Sequence, residues 1–388
     1  MLQKIILLVI LTVIFQFPLH ACRYTVREIG YADFGVNPYR LYFFYDSTTP
    51  EDQVKTFRRV TYAALYDANV VVELVNIEKD TNSVGLEFLK IHPTQKLPAT
   101  VLVSPDGRSL AFEFPVGAGE FKNSVWEQIE NIVTSPLRRQ ILPRLAQTYG
   151  AALLVEGTDA AQNRQAREIV QKAIAEIKKM LGQMPKTVDK PPELVTLPFN
   201  QRNSEKVLLW SLGSDLNQTA PQVAILYGRG RRMGPILSGE NLTENNLLNL
   251  LGLIGADCEC GLDRAWLLGM MFPLRWPTEL REQLVKQLGF DVENPAVKSE
   301  MSQILAISQA GNNQQSNERL FSYREGVIEL EPKTAAPRVS FSGLQTLNSD
   351  SNLETTQSPL KIAWMVIGAI FLVVFIAGGL FFMRAKRR

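Results

Sequence analysis

Histidine is nearly missing from this chain, with two residues in 388, and cysteine occurs only three times. His20 lies inside an N-terminal apolar stretch, and His92 stands alone in Ile91-His92-Pro93, where it reads as a loop residue beside a turn. Such scarcity argues against a Ser/His/Asp triad, a His-rich zinc site or a relay of imidazoles, and no metal or cofactor is expected. Charge of one sign is lacking as well. With 41 Lys and Arg against 39 Asp and Glu the net charge is +2, and no long basic stripe supplies the electrostatic footprint of a nucleic-acid binder. What remains is ordinary: 46% hydrophobic and 21% charged residues, in a chain long enough for two or three folded domains.

Long apolar runs are present, one at each end. Met1-Leu2-Gln3-Lys4 is followed by an apolar run from Ile5 to Phe17 and by Leu19-His20-Ala21-Cys22, the pattern of a secretory signal over residues 1–21. The same residues resemble a bacterial lipobox, which makes Cys22 a lipidation candidate, although His20 departs from the small or β-branched residue usual there. Plain cleavage and a retained anchor are the alternatives. At the other end residues 362–383 carry no charge, and as a helix they cover roughly 33 Å, enough for a bilayer core. The basic tail Arg384-Ala385-Lys386-Arg387-Arg388 places the C-terminus on the cytoplasmic side and the bulk of the chain outside. Ahead of the span, residues 309–360 are rich in Asn, Gln, Ser, Thr and Pro and read as a flexible stalk, apart from Gly326-Val327-Ile328-Glu329-Leu330.

Between these ends one plan occurs twice. Tyr39-Arg40-Leu41-Tyr42-Phe43-Phe44-Tyr45 reads as a central strand, and Asp46 to Asp52 opens a helix. Val70 to Val75 is a second strand. After a linking segment, Leu97-Pro98-Ala99-Thr100-Val101-Leu102-Val103 turns at Pro105-Asp106-Gly107 into a hairpin, and a helix runs from about Glu120 to Val133. The second copy has a strand at Ala151 to Glu156 and a long helix whose apolar residues from Ala166 to Leu181 recur at three and four. A short edge strand follows at Glu193 to Pro198, then a brief helix at Lys206 to Leu212, a hairpin after Pro221, and a helix from about Leu242 to Ile254.

This order resembles the thioredoxin-like superfamily, in two tandem units over residues 22–140 and 148–261. The resemblance implies an α/β fold and a cis-proline at Pro98 and at Pro221. Thioredoxin chemistry needs a low-pKa thiolate at the helix N-terminus after the central strand. Here those positions hold Ser47-Thr48-Thr49-Pro50-Glu51 and Thr158-Asp159-Ala160-Ala161, and the hydroxyls read as helix caps, without a base to activate them. The redox role therefore does not carry over.

The other cysteines, Cys258 and Cys260, lie in the Gly-bounded turn Gly255-Ala256-Asp257-Cys258-Glu259-Cys260-Gly261. Residues two apart in a strand have Cα atoms nearly 7 Å apart, at the limit of disulfide geometry. A structural bond, including one from either to Cys22, a redox-active pair, a soft-metal site and free thiols all stay open. Arg229, Arg231 and Arg232 crowd a Gly-rich hairpin, either as anion-binding candidates or as a solvated turn. The apolar block from Trp266 to Trp276 opens a helical extension over residues 262–308, packed on the second unit or free for a partner. Asn217-Gln218-Thr219 and Asn241-Leu242-Thr243 fit glycosylation sequons, which count only outside bacteria.

The reading is a single-pass membrane protein with its bulk extracytoplasmic, serving as a binding or scaffold module for another membrane or extracytoplasmic protein. The alternative is a thiol-disulfide oxidoreductase acting through Cys258 and Cys260. Protease added to right-side-out cells or spheroplasts is expected to digest the folded region and spare only a small C-terminal fragment. Protection of the whole chain would reject this topology.

Overall fold

The near-continuous apolar run Tyr39–Tyr45 forms β1, and it is buried because it is a central strand. In the computed structural model, which describes residues 23–93, 96–112, 121–257 and 268–310, it pairs in parallel with β2 (Val70–Asn76) and antiparallel with β3 (Ala99–Val103). β3 in turn pairs antiparallel with β4 (Ser109–Phe112), giving the order β2-β1-β3-β4. The helices of this part are α1 (Val26–Tyr31), α2 (Glu51–Leu65), α3 (Gly85–Ile91) and α4 (Phe121–Val133). α2 and α4 pack together, and their buried residues Phe57, Val60, Val125 and Ile129 close a core over Leu41 and Phe43. Phe43 stacks on Phe57 at 4.0 Å between centroids.

The second sheet repeats this arrangement. β5 (Ala151–Val155) lies parallel to β6 (Glu193–Leu197) and antiparallel to β7 (Gln222–Tyr227), which forms a hairpin with β8 (Arg231–Ser238); the order is β6-β5-β7-β8. Its helices are α5 (Pro136–Gln147), α6 (Ala160–Met180), α7 (Lys206–Leu212) and α8 (Glu244–Ile254), followed by α9 (Thr278–Leu288) and α10 (Pro295–Ala310). Two mixed sheets of the same order and direction, each with a helix after the central strand and another after the hairpin, are the thioredoxin-like plan expected from the sequence. β6 is at an edge, in keeping with its flanking prolines. The described residues all fall within one compact unit, Met1–Thr334.

Three expectations need correction. First, Tyr24, Val26, Ile29 and Tyr31 pack in the core of the second sheet, as do Leu137, Ile141 and Leu145 of α5, so neither segment belongs to the first unit. The cause is close backbone approach: a Cβ on Gly228 would stand 2.4 Å from the Gly30 carbonyl carbon, and Arg229 donates its N–H to the Gly30 carbonyl at 3.0 Å. Second, residues 268–276 are not helical. Phe272 donates to the Gly230 carbonyl at 3.1 Å, and Arg232 donates to that of Met270 at 2.9 Å, so this stretch runs along β8. Third, the segment between β2 and β3 contains α3. The signal, Cys22, Cys258, Cys260, the stalk from residue 311 on, the 362–383 span and the basic tail lie outside the described residues, while residues 309–310 of the expected stalk end α10. Among the described residues no helix is long and apolar enough to cross a membrane.

The two sheets are joined through Arg138, which is 1% exposed. Its guanidinium donates to the carbonyls of Asn131, Ile132 and Thr134 at the end of α4, to Ser135 Oγ at 3.1 Å and to the Pro273 carbonyl at 2.8 Å. Burial lowers its pKa to about 10, so it remains charged at neutral pH. Asn69 adds a second tie, donating from Nδ2 to the Phe272 carbonyl at 3.0 Å and accepting from the Leu274 N–H at 2.8 Å. Arg138→Met is expected to lower the unfolding free energy by about 3–5 kcal/mol, because the carbonyls it satisfies stay buried. Arg275→Met removes ion pairs to Asp67 and Glu130 that are partly solvated, and should cost less than about 1 kcal/mol. Urea unfolding of the full chain in detergent measures both; equal shifts would contradict the ranking.

Candidate functional site

A thioredoxin-like domain presents its chemistry where the central strand meets the next helix. In the first unit β1 ends at Tyr45, and the register Phe44↔Ala99 brings Pro98 opposite that end. The Leu97–Pro98 bond is cis. Asp46 organises the turn: its Oδ1 accepts from Thr48 Oγ1 at 2.7 Å, from Thr49 Oγ1 at 3.0 Å, and from the Thr48 and Thr49 N–H groups at 3.0 Å each. The Thr48 hydroxyl, more than any other group, holds the Asp46 carboxyl below its usual range, with Thr49 adding to it. Ser47 Oγ donates to Glu78 at 2.8 Å. α2 itself starts at Pro50 without a side-chain cap, so the expected capping residues serve the turn before the helix instead.

The second unit differs in detail. Asp159 caps α6, accepting from Ala161 N–H at 2.7 Å and from Gln162 N–H at 3.3 Å. The Ala220–Pro221 bond is not cis, since Leu97–Pro98 is the only cis bond among the described residues; this corrects the expectation for Pro221. The chain there is held in another way. Thr158 N–H donates to the Thr219 carbonyl at 2.9 Å, and a Cβ on Gly157 would fall 2.1 Å from that oxygen, so the loop runs directly against a residue without a side chain.

The arginines of the hairpin are largely engaged within the fold, although Arg231 and Arg232 also line a cavity. Arg231 donates to the carbonyls of Gly30 at 3.0 Å, Gly269 at 3.0 Å and Ala32 at 2.9 Å. Arg229 pairs with Glu293 at 2.8 Å over the Trp276 ring. Arg232 donates to the Leu212 carbonyl, where Arg108 also converges through the carbonyls of Trp210 and Ser211, so the two cap the C-terminus of α7. Burial, and after it the Arg108 charge, lowers the Arg232 pKa. Covering residues from 268–276 replace water here, which local sequence does not disclose.

A cavity of about 710 Å³ among the described residues lies elsewhere. Pro38, Val70 and Val71 line it from the starts of β1 and β2, Asp106 from the β3–β4 turn, and Arg232 and Met271 from the second sheet and its covering segment. It therefore opens at the opposite end of the first sheet from Pro98 and Asp46. Its size and its mixed polar and apolar wall suit a ligand or a partner's side chains. Sequence reading also missed Ser109, whose Oγ lies 3.0 Å from His92 Nε2. Burial lowers the His92 pKa. Among the described residues no carboxylate hydrogen-bonds to that ring, so the pair lacks the orienting acid of a triad. No group of metal-ligating side chains occurs among the described residues.

No protein-family model matches the chain, and no curated protein matches it by sequence. Solved structures similar to it are thioredoxin-domain proteins. The first two thioredoxin domains of Saccharomyces cerevisiae Eps1p are 11% identical, over 58% of this chain and 94% of that one, with a TM-score of 0.21. The zinc-bound form of human ERp44 is 10% identical over 60% of each chain, with a TM-score of 0.21. The first two thioredoxin domains of Naumovozyma dairenensis Eps1p are 11% identical over 53% of this chain and 85% of that one, with a TM-score of 0.17. These likenesses concern fold alone, and the thioredoxin-like assignment rests on the strand order and connections described above.

Removing the Asp46 carboxylate tests whether it alone closes the turn before α2. In Asp46→Ala, amide exchange at Thr48 and Thr49 should accelerate roughly threefold to fivefold, the effect of losing a modest hydrogen bond. Unchanged exchange would show that the turn is held by something else.

Proposed function

We propose that this chain is a membrane-anchored, extracytoplasmic binding or scaffold protein built on two redox-inactive thioredoxin-like units. One observation carries the reading: at both helix N-termini, residues other than cysteine occupy the catalytic positions. Asp46, Ser47, Thr48, Thr49 and Asp159 are engaged in local hydrogen bonds, the hydroxyls of Ser47, Thr48 and Thr49 closing on the carboxylates of Glu78 and Asp46, and these positions hold no thiol to exchange. Without that chemistry the chain is a two-sheet platform with a cleft at the far end of the first sheet. The 362–383 span and basic tail support anchoring, and the 309–360 stalk would let the platform reach a partner embedded in or held at the membrane. Another membrane or extracytoplasmic protein is the partner class, and the chain's near-neutral charge weighs against nucleic acid.

The oxidoreductase alternative rests on Cys258-Glu259-Cys260 alone. It requires a thiol of low pKa, which titration of the reduced protein with a maleimide would reveal.

A photo-crosslinking amino acid at Val71, 45% exposed on the cleft wall, tests where the partner binds. In intact cells it should yield a discrete adduct, while the same group at Thr48 should not. Adducts from Thr48 only, or from neither position, would overturn the cleft as the binding surface.

A further inference from the structure

Helix α2 buries Phe57, Val60, Thr61, Ala64 and Leu65 against the core. At about 100° per residue Lys55, Arg59, Tyr62 and Tyr66 therefore fall in one line on its opposite side, with Arg58 and Ala63 flanking that line. All six are exposed. Tyr62 is 75% and Tyr66 82% exposed, more than any other large apolar side chain among the described residues, and their rings meet edge to face at 6.3 Å.

Charge on this face is not balanced. Lys55 pairs with Glu51, and Asp67, just past the helix, pairs with Arg275. Among the described residues Arg58 and Arg59 have no carboxylate partner, and Asp52 stands in the first turn, at the far end from the tyrosines. Arginine stems and tyrosine rings bury apolar surface while their polar ends stay wet, the arrangement found where side chains meet a lipid headgroup layer. Each cation close to an anionic leaflet adds an attraction that salt weakens. A helix side is also convex, so it meets a plane more readily than it encloses a ligand.

The tether leaves from the same neighbourhood. Tyr66 shares a groove of about 570 Å³ with Pro295, Lys298 and Ser299 of α10, the helix from which the chain continues toward the 362–383 span. Residues 311–361, at coil dimensions, reach roughly 40 Å, so α2 is within range of the bilayer that the span would cross. We infer that the face formed by Lys55, Arg58, Arg59, Tyr62 and Tyr66 docks on an anionic lipid surface. Such docking presupposes the anchoring proposed for this chain, because a strip this small binds only where a tether keeps it at high effective concentration. Seated in this way, the platform holds the cleft, which shares Ala68 with the groove beside Tyr66, next to the membrane.

Lipid photo-crosslinking of the full chain tests this. The chain, with a diazirine amino acid at Ala63, is reconstituted into vesicles of phosphatidylcholine alone or mixed equally with phosphatidylglycerol. The vesicles are washed in alkali, floated, irradiated and analysed by mass spectrometry. Phospholipid adducts should form in the mixed vesicles and fall roughly fivefold in phosphatidylcholine alone, at high salt, or in Arg58→Glu with Arg59→Glu. The lipid and salt comparisons need no charge variant. The same amino acid at Lys172, exposed on α6, should give no adduct. Flotation without lipid adducts at Ala63, equal adducts from both vesicle types or from Lys172, or a protein adduct in their place would overturn the docking and leave the anchoring intact. Absence of the chain from the floated vesicles would overturn both.

Discussion

A buried guanidinium without a dedicated carboxylate partner organises this molecule. Arg138 sits at the start of α5, yet its hydrogen bonds go to the end of α4, which belongs to the other sheet, and to Pro273 in the covering segment. The Ile132 and Pro273 carbonyls are buried acceptors that Arg138 supplies with a donor, and Arg138 would be a buried charge without solvation if they were absent. The dependence is mutual, so the first unit, the second unit and residues 268–276 are set together. Glu205 completes the arrangement by accepting from the Leu137 N–H at 2.9 Å at the N-terminus of α5, where a negative charge is favoured.

From this junction the rest of the interface follows. The covering segment runs along β8, pairs with the start of β2 through Asn69, and thereby turns the arginine hairpin from a surface feature into an internal one. Where β2 and the covering segment part company beyond Asn69, a cavity opens, with Val70 and Val71 on one wall and Met271 on the other. The cleft is thus a geometrical consequence of two sheet edges that are tied at one point and diverge from it.

The alternating and continuous apolar runs that made the strands legible are local signals, and β1, β2, β5 and the two hairpins stand where their periodicity puts them. Helix α1 carried one readable signal, the capping box of Thr25 with Glu28, but six residues cannot show a 3.6 repeat and all six, Arg27 and Glu28 included, are buried. Helix α5 carried a readable signal in Ser135-Pro136, a capping residue followed by proline at the first helical position. The arginines misled for a related reason. Gly-rich, Arg-rich turns are usually solvated, and nothing within the turn tells that a segment some forty residues later covers it. Which sheet a helix serves, and which side chain lines the cleft, are properties of non-local packing, so residues such as Asn69, Arg138 and Val71 had no distinguishing mark in the sequence.

The same distinction bears on what the fold is used for. A helix N-terminus next to a cis-proline is a ready site for a thiolate because its amides point at whatever follows the central strand. In this chain Asp159 takes the N–H groups of Ala161 and Gln162 at the start of α6, while Asp46 takes those of Thr48 and Thr49 in the turn before α2, a helix without a side-chain cap. A carboxylate in that place also opposes any anion arriving from outside, through like charge. The polarity of the helix start is therefore satisfied internally at α6, and at α2 the preceding turn is closed on Asp46 while the helix itself carries no side-chain cap. The cleft lined by Val70, Val71 and Met271 lies instead at the far end of the first sheet from Pro98 and Asp46, where Arg138 and Asn69 tie the covering segment 268–276 to the first unit.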